Sequence, residues 1–268
     1  MKNTKKLLTL LLALAMVLSL AACGGNKDEA PADSDLAYVK DKGTLVVGIT
    51  EFEPMDYQDA DGSWIGFDAD LAKAFAESLG VEAQFQLIDW DSKVFELDGK
   101  TLDVVWNGMT LTDDVLAAME CSNPYFNNAQ VVIVKKDVAD QYQTAESIAD
   151  LQFSVENGSA GQEILDGLGY SYTAAQDQAT ALLEVQSGTA DAAVIDYLMA
   201  AAMTGEGTSY ADLTFTVSLN DEQYGVGFRK GSDLAAALNE FFKASYADGT
   251  MQKIADTYKI GDKLIEQK

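Results

Sequence analysis

The sequence predicts an α/β protein built from two units of similar design. Strand patterns alternate along the chain with helix patterns, which is typical of a largely parallel sheet covered by helices. The chain has 268 residues, enough for two medium-sized cores. The segments 95–106 and 183–194 share a helix end, a Thr-x-Asp and a small apolar strand at identical spacing. We therefore expect two α/β units, one in each of two lobes.

The first 42 residues precede the predicted fold. A basic start and an apolar run over 7–20 predict a signal peptide over residues 1–22. The sequence that ends this segment, Leu-Ala-Ala-Cys, resembles the bacterial lipoprotein box, in which the cysteine, here Cys23, carries the lipid. A Gly/Pro/Ala/Asp-rich stretch follows, and we expect a flexible tether over 23–42.

Strands and helices then alternate through the first unit. Asp68 is expected to cap the first helix and Gly80 to end it, while Thr112 caps a later one. The segment 59–68 is expected to form a hairpin turn. The predicted strands are 45–49, 81–88, 102–106 and 129–134, and the predicted helices are 68–80, 93–97 and one that begins at Thr112.

The second unit repeats the pattern. Its predicted strands are 153–156, 191–195, 215–219 and 224–229. One predicted helix begins at Ser159, and a second spans 176–186. Two terminal helices, 233–246 and 250–258, close the chain.

Polar residues follow a buried strand in each unit. Asn107, Gly108 and Thr110 follow the strand 102–106, and Asp196 follows its counterpart. Open α/β sheets bind ligands outside the carboxyl ends of their strands. We therefore expect these residues to face one cleft from opposite lobes.

Three further segments at strand ends contain candidate contacts. Glu51 and Phe52 follow the first strand, and Phe52 is better explained as a lid on a ligand than as an exposed residue. Trp90 follows the second strand and fits a core position or a ligand wall. The Gly/Ser/Gly loop at 158–161 precedes a helix whose free N–H groups could bind an anion, although an ordinary helix cap explains it equally well.

The composition excludes several classes of function. Lys and Arg total 18 against 43 Asp and Glu, which gives a net charge of −25 and disfavours binding to nucleic acid or anionic lipid. The chain has no histidine, which excludes catalysis by imidazole and metal sites with imidazole ligands. We expect no cofactor and no metal. Arg229 is the single arginine, so only one bidentate partner for a carboxylate exists.

Taken together, several motifs resemble the extracellular solute-binding proteins of polar amino acid ABC transporters, bacterial family 3. They include TLVVGITEFEPMDY, GSWIGFDADLAKAFAESLG, LDVVWNGMTLT, CSNPYFNNAQVVIVKKD, FSVENGSAGQEIL, GTADAAVID and YGVGFRKGSD. The resemblance covers residues 43–260. It implies a two-lobed periplasmic-binding-protein-like fold with two crossover strands, at 129–135 and 224–229. Lobe one would comprise 43–130 and 225–268, and lobe two 131–224.

The resemblance also implies roles for single residues. Phe52 is similar to the aromatic residue that stacks on the cargo, and Trp90 to the opposite apolar wall. Asn107, Gly108 and Thr110 match the lobe-one segment that holds the cargo. Ser159 and Ala160 match the helix start that meets an α-carboxylate, and Asp196 matches the carboxylate that binds the α-ammonium.

One position departs from the family pattern. Val115 stands where the family usually has an arginine that clamps the α-carboxylate. Either backbone N–H groups, with help from Lys93, hold the carboxylate, or the cargo is not a standard α-amino acid.

These observations predict a monomeric, lipid-anchored receptor on the outer face of a bacterial membrane. It would bind a small amino-group-bearing solute, Glu51 adding negative charge, and deliver it to an ABC permease. One alternative is a dehydratase or lyase on the same scaffold that uses Glu51 or Glu156 as an acid or base. A sensory module is a third possibility, against which the lack of a signalling segment after residue 268 counts.

Overall fold

The computed structural model describes residues 34–268, so the predicted signal peptide and Cys23 lie outside the described residues. Asp35–Lys268 folds as one unit. Its helices are α1 (Asp35–Lys42), α2 (Phe67–Leu79), α3 (Lys93–Asp98), α4 (Asp113–Ala118), α5 (Ala145–Ile148), α6 (Ala160–Leu168), α7 (Gln178–Ser187), α8 (Tyr197–Met203), α9 (Leu234–Ala247) and α10 (Thr250–Thr257). Within residues 34–268, every helix is too short or too polar to span a membrane.

The strands fall into two main sheets and a hairpin. They are β1 (Thr44–Ile49), β2 (Tyr57–Gln58), β3 (Trp64–Ile65), β4 (Glu82–Leu87), β5 (Val104–Thr110), β6 (Glu120–Cys121), β7 (Phe126–Asn128), β8 (Gln130–Lys135), β9 (Phe153–Glu156), β10 (Tyr172–Ala175), β11 (Ala192–Asp196), β12 (Leu213–Ser218) and β13 (Glu222–Phe228). The strands β2 and β3 pair antiparallel, which confirms the predicted hairpin.

The two main sheets have matching designs, one in each lobe. The first has the order β4-β1-β5-β13-β6, with β7 also on β13, and the second has the order β10-β9-β11-β8-β12. In each, a strand that follows a helix pairs parallel on one side and antiparallel on the other: β5 lies between β1 and β13, and β11 between β9 and β8. The similarity of segments 95–106 and 183–194 therefore reflects equivalent positions in two α/β units.

The chain crosses between the sheets twice. It leaves the first sheet after Asn128 and enters the second at Gln130, so Ala129 alone separates β7 from β8. It returns between Ser218 and Glu222. Both crossovers lie side by side, because the Leu219 N–H donates to the Gln130 carbonyl at 2.8 Å.

Large buried aromatic rings pack the helices of the first lobe against one face of its sheet. Trp106, on β5, packs against Phe75 of α2 and Phe242 of α9, with ring centroids 6.3 and 5.7 Å apart. All three side chains are buried. Each contributes on the order of 1.5–3 kcal/mol through burial, which holds β5 firmly in place.

The predicted cap of α2 needs correction. Gly66, not Asp68, precedes the helix, and Gly80 ends it in the left-handed conformation as expected. Asp68 lies in the first turn with its carboxylate fully buried, where it accepts the Gly108 N–H at 2.6 Å and the Tyr125 hydroxyl at 2.8 Å. Its side chain faces β5 rather than the N–H groups of its own helix, so it ties α2 to the strand.

The tether prediction is wrong for residues 35–42, which form α1. The polar pattern of this segment gave no helix signal. Packing of Val39 into the core and an ion pair stabilise the helix instead, since Asp35 lies 2.9 Å from Nη2 of Arg229. The rest of the predicted tether, through residue 33, lies outside the described residues.

Candidate functional site

A cavity of about 390 Å³ lies between the two sheets, where β5, β9 and β11 end. This is the edge at which α/β sheets usually bind ligands. Seven of the nine predicted contact residues line it, namely Trp90, Asn107, Gly108, Thr110, Ser159, Ala160 and Asp196. The strand ends of the two lobes thus meet as expected.

Phe52 and Glu51 are not among the lining residues. The Phe52 ring is 2% exposed and stands edge-on to Tyr224, with centroids 6.3 Å apart. The residue predicted as a lid on the ligand is therefore buried, and its ring fills the space beneath Gly108. Glu51 is half-buried, and burial, followed by the charge of Asp177, raises its pKa.

Gly108 is required where β5 reaches the cavity. Its φ of 54° is a left-handed conformation that L side chains rarely adopt. A Cβ added here would lie 2.5 Å from Cε1 of Phe52. The glycine therefore exposes backbone to the cavity directly above the buried ring.

Asn107 shapes the site without offering its side chain to a solute. Its amide Nδ2 donates to the Thr50 carbonyl at 3.0 Å and to Asp56 Oδ2 at 2.8 Å. Its Oδ1 accepts the Thr50 N–H at 3.0 Å and the Thr50 hydroxyl at 2.8 Å. The side chain thus joins the ends of β1 and β5.

Thr110 leads to Glu222, a residue that sequence reasoning missed. The Thr110 hydroxyl donates to Oε1 of Glu222 at 2.8 Å. The same oxygen accepts Nδ2 of Asn128 at 2.6 Å and Nε2 of Gln130 at 2.8 Å. Glu222 begins β13 at the second crossover, so it joins both crossovers to the ligand-facing end of β5. Glu222 lies two residues before the predicted crossover strand 224–229, a position that does not distinguish it from other acidic residues of the sequence.

Asp196 ends β11 with its carboxylate already engaged. Its Oδ1 accepts Nδ2 of Asn128 and the Tyr224 hydroxyl, both at 2.6 Å, and its Oδ2 accepts Nε2 of Gln178. The Asp196 N–H donates back to Oε1 of Gln178 at 2.9 Å. Burial, and next the charge of Glu222, raise the pKa of the Asp196 carboxyl to about 7. Donors from both lobes thus converge on this residue.

Glu156 ends β9 and also lines the cavity. The residue is 2% exposed, and its Oε1 has no hydrogen-bond partner among the described residues. Burial, then the charges of Asp196 and Asp177, raise the pKa of its carboxyl to about 8 against the opposing effect of Lys93. From the sequence, Glu156 is predicted only as an alternative catalytic acid or base, and its place in the binding cavity is not predicted. A glutamate closing a buried strand at a cleft edge was the available signal.

The ammonium group of Lys93 already forms hydrogen bonds within the protein. Its Nζ donates to the Trp90 carbonyl at 3.1 Å and to the Gly158 carbonyl at 2.9 Å, and lies 4.8 Å from the Trp90 ring centroid. Burial lowers the pKa of the ammonium to about 8. These contacts leave Lys93 poorly placed as the replacement for an arginine clamp.

The two lobes touch each other at the outer side of the cavity. The Lys93–Gly158 contact crosses between them, and Nδ2 of Asn157 donates to Oδ2 of Asp91 at 2.7 Å. Gly158, with φ of 74°, packs directly on Asp91: an added Cβ would lie 2.7 Å from the Asp91 Cα. The structure is therefore a closed arrangement of the lobes.

The start of α6 has the predicted cap. The Ser159 side chain accepts the Gln162 N–H at 3.2 Å, and Gly169 ends the helix in the left-handed conformation. Both Ser159 and Ala160 line the cavity, so the positive end of this helix faces it.

No arginine lies at the site among the described residues. Val115 lines the cavity, while Thr112 caps α4 by accepting the Val115 N–H at 3.3 Å. Arg229 is distant from the cavity lining and donates to Asp35 and to the carbonyls of Leu97 and Leu102. The single arginine is therefore a structural residue of the first lobe.

The charged residues of the cavity lining are mostly acidic. Asp114, Glu156, Glu163, Asp166 and Asp196 stand against Lys93 alone in the described part of the chain. Because Lys93 is engaged by two carbonyls, the cavity favours positively charged groups.

Comparison with known proteins identifies a group to which the chain is similar. The sequence profile of the bacterial extracellular solute-binding proteins, family 3, matches residues 45–261. The chain is 30% identical over 251 residues to the L-cystine-binding protein TcyJ of Escherichia coli K12, covering 92% of this chain and 94% of that protein.

Two solved structures have the same fold. One is an ABC uptake transporter substrate-binding protein from Streptococcus pneumoniae with bound histidine, with TM-score 0.78, 29% identity, and coverage of 85% of this chain and 97% of that one. The other is the ancestral amino acid-binding protein AncCDT-1, a precursor of cyclohexadienyl dehydratase, with TM-score 0.76, 31% identity, and coverage of 84% and 99%.

Proposed function

Because the chain belongs to the bacterial extracellular solute-binding proteins of family 3, we propose that it captures a small amino-group-bearing solute between its lobes for an ABC importer. The cavity between the two sheets is the observation that carries this proposal. Proteins of this family bind amino acids for ABC transporters outside the cytoplasm, and an amino acid is the first solute class to consider.

Closure of the lobes would retain the solute. Opening would break the Lys93–Gly158 and Asn157–Asp91 contacts at the outer side of the cavity. The crossovers would stay joined through Glu222. A solute that contacts both lobes favours the closed state, since it can shift an equilibrium only by its differential affinity for the two states.

The contact residues follow from the cavity lining. Trp90 would form an apolar wall, and Gly108 and Ala160 would offer backbone groups from opposite lobes. Asp196 and Glu156 would bind an amino group, whose positive charge favours the ionised form of both carboxyl groups.

A thermal-shift screen of the full-length protein tests the proposal. The panel should contain the common amino acids, small amines and, as controls, dicarboxylates without an amino group. We expect at least one amino compound to raise the unfolding temperature, by about 2–4 °C for each kcal/mol of binding free energy. Stabilisation by dicarboxylates alone would contradict the proposed electrostatics.

The proposal includes a lipid anchor at Cys23, a permease as partner and a monomeric state. Mass spectrometry of the mature protein should find a diacylglyceryl group on Cys23, and Cys23→Ala should release the protein from membranes. An unmodified cysteine at the mature terminus would refute the anchor. Recovery of the solute unchanged after long incubation distinguishes binding from the dehydratase or lyase alternative.

A further inference from the structure

Glu156 is a buried carboxyl group whose Oε1 has no hydrogen-bond partner among residues 34–268. Only 2% of the residue is exposed. Buried polar groups are nearly always hydrogen-bonded, and a buried carboxylate without a donor is costly. Since Glu156 lines the cavity, the missing partner can come from a molecule inside it.

The nearby protein cation does not supply that partner. Lys93 Nζ donates to the carbonyls of Trp90 and Gly158. The charges nearest to Glu156 are otherwise acidic, namely Asp196 on β11 and Asp177 before α7. A positively charged donor on the solute would offset these acidic neighbours and favour the ionised form of Glu156.

Asp196 and Glu156 differ in how much binding capacity they have left. Asn128, Tyr224 and Gln178 fill three acceptor positions of Asp196, whose two oxygens offer about four. Asp196 can thus accept one further N–H, whereas Oε1 of Glu156 has no hydrogen-bond partner in the described part of the chain. Glu156 and Asp196 end the neighbouring strands β9 and β11, so a solute with two amino groups can give each carboxyl group its own donor.

We propose, on the basis of the solute-binding function above, that Glu156 binds a second protonated amino group and selects solutes that carry two. Diamines, dibasic amino acids and L-cystine share this chemistry. They differ in the number of carboxylates. The cavity is compatible with solutes with and without a carboxylate: Val115 cannot bind one as an arginine would, whereas the positive end of α6 can.

Matched pairs of solutes test this proposal by calorimetry on the full-length protein in detergent. The pairs are 1,4-diaminobutane with 1-aminobutane, ornithine with norvaline, and L-cystine with S-methylthio-L-cysteine. Each pair differs by one amino-bearing end. In at least one pair, the two-amino member should bind about 10-fold tighter or more, the range expected for a charge-assisted hydrogen bond.

Two variants locate the effect. Glu156→Gln keeps the shape of the side chain and should reduce the preference within the pair to less than about 3-fold. Glu206→Gln removes one negative charge from an exposed residue of the same lobe that lies outside the cavity lining, and it should leave the preference unchanged. Cooperative melting of both variants shows that they are folded.

The outcomes separate this inference from the proposed function. Equal affinity within every pair, or a preference that survives Glu156→Gln, overturns the role of Glu156 while solute binding stands. Binding of mono-amino acids only has the same meaning. If no amino compound of the pairs or of the screen binds, the proposed function itself fails.

Discussion

Replacing Gly158 by alanine should weaken solute binding far more than it weakens the fold. An added Cβ would lie 2.7 Å from the Cα and 2.8 Å from the Cβ of Asp91, across the lobe boundary. That is about 0.8 Å short of an ordinary 3.5 Å carbon–carbon contact. The lobes must separate slightly to relieve the overlap, and only the closed state suffers it.

The magnitude follows from the cost of overpacking. Forcing one methyl group into a packed contact typically costs about 1–3 kcal/mol. If the closed state bears this cost, the dissociation constant should rise about 5- to 150-fold. The left-handed φ of 74° adds about 1 kcal/mol to the cost of folding, but it acts on the open and closed states alike.

Gly169 provides the matched control. It has φ of 71° at the other end of α6, and an added Cβ would meet nothing within 4 Å. Gly169→Ala should therefore lower the unfolding temperature about as much as Gly158→Ala and leave affinity unchanged. Calorimetry with the tightest solute of the screen measures both variants. Equal affinities for the two would refute the idea that the Gly158–Asp91 contact belongs to the binding-competent state.

Three other predictions follow from the buried groups. Burial raises the pKa of Glu156 to about 8 from an ordinary 4.5. Between these pH values the folded state holds a proton that the unfolded chain has lost, so the free energy of unfolding falls as the pH rises from about 4.5 to 8. Glu156→Gln should therefore melt at least about 3 °C above the wild type at pH 8 and equally at pH 4, and identical melting at pH 8 would contradict the raised pKa. Asp196→Ala should weaken solute binding at least about tenfold, because the amino group of the solute loses a buried charge-assisted hydrogen bond, and unchanged affinity in calorimetry would remove Asp196 from the site. Phe52→Ala should cost about 3–5 kcal/mol in urea unfolding, whereas a cost below 1 kcal/mol would indicate an exposed ring.

The sequence was sufficient to predict the fold and the region of the site. Strand and helix periodicity located β1, β5, β9 and β11, and the similar spacing in segments 95–106 and 183–194 indicated equivalent strands. Polar residues after those strands marked the cavity edge correctly. These predictions succeed because strand and helix periodicity and strand ends can be recognised within one short segment of sequence.

The direction in which a side chain points could not be predicted in this way. Phe52 was expected in the cavity but lies below it, because Gly108 leaves space for its ring. Asn107 was expected to hold the cargo, yet its side chain bonds to Thr50 and Asp56. Both outcomes depend on contacts between residues distant in sequence.

Residues whose role depends on pairing were missed for the same reason. Glu222 carries no local pattern that separates it from other acidic residues on the surface of the chain. Its role appears only when Thr110, Asn128 and Gln130 converge on one oxygen. The polar helix α1 was missed because its stability comes from docking, which periodicity does not report.

The short crossovers restrict the relative motion of the two lobes to rotation about one place in the chain. Ala129 alone separates β7 from β8, so in the proposed cycle the lobes can turn about this point but cannot slide apart. Displacement then grows with distance from the pivot, and is smallest around Glu222 and largest toward Gly158 and Asp91. A pair of dyes placed across the latter gap would report solute capture as a large change in distance. Substitutions near Glu222 would instead change the equilibrium between open and closed lobes, while the surfaces that contact the solute stay unchanged.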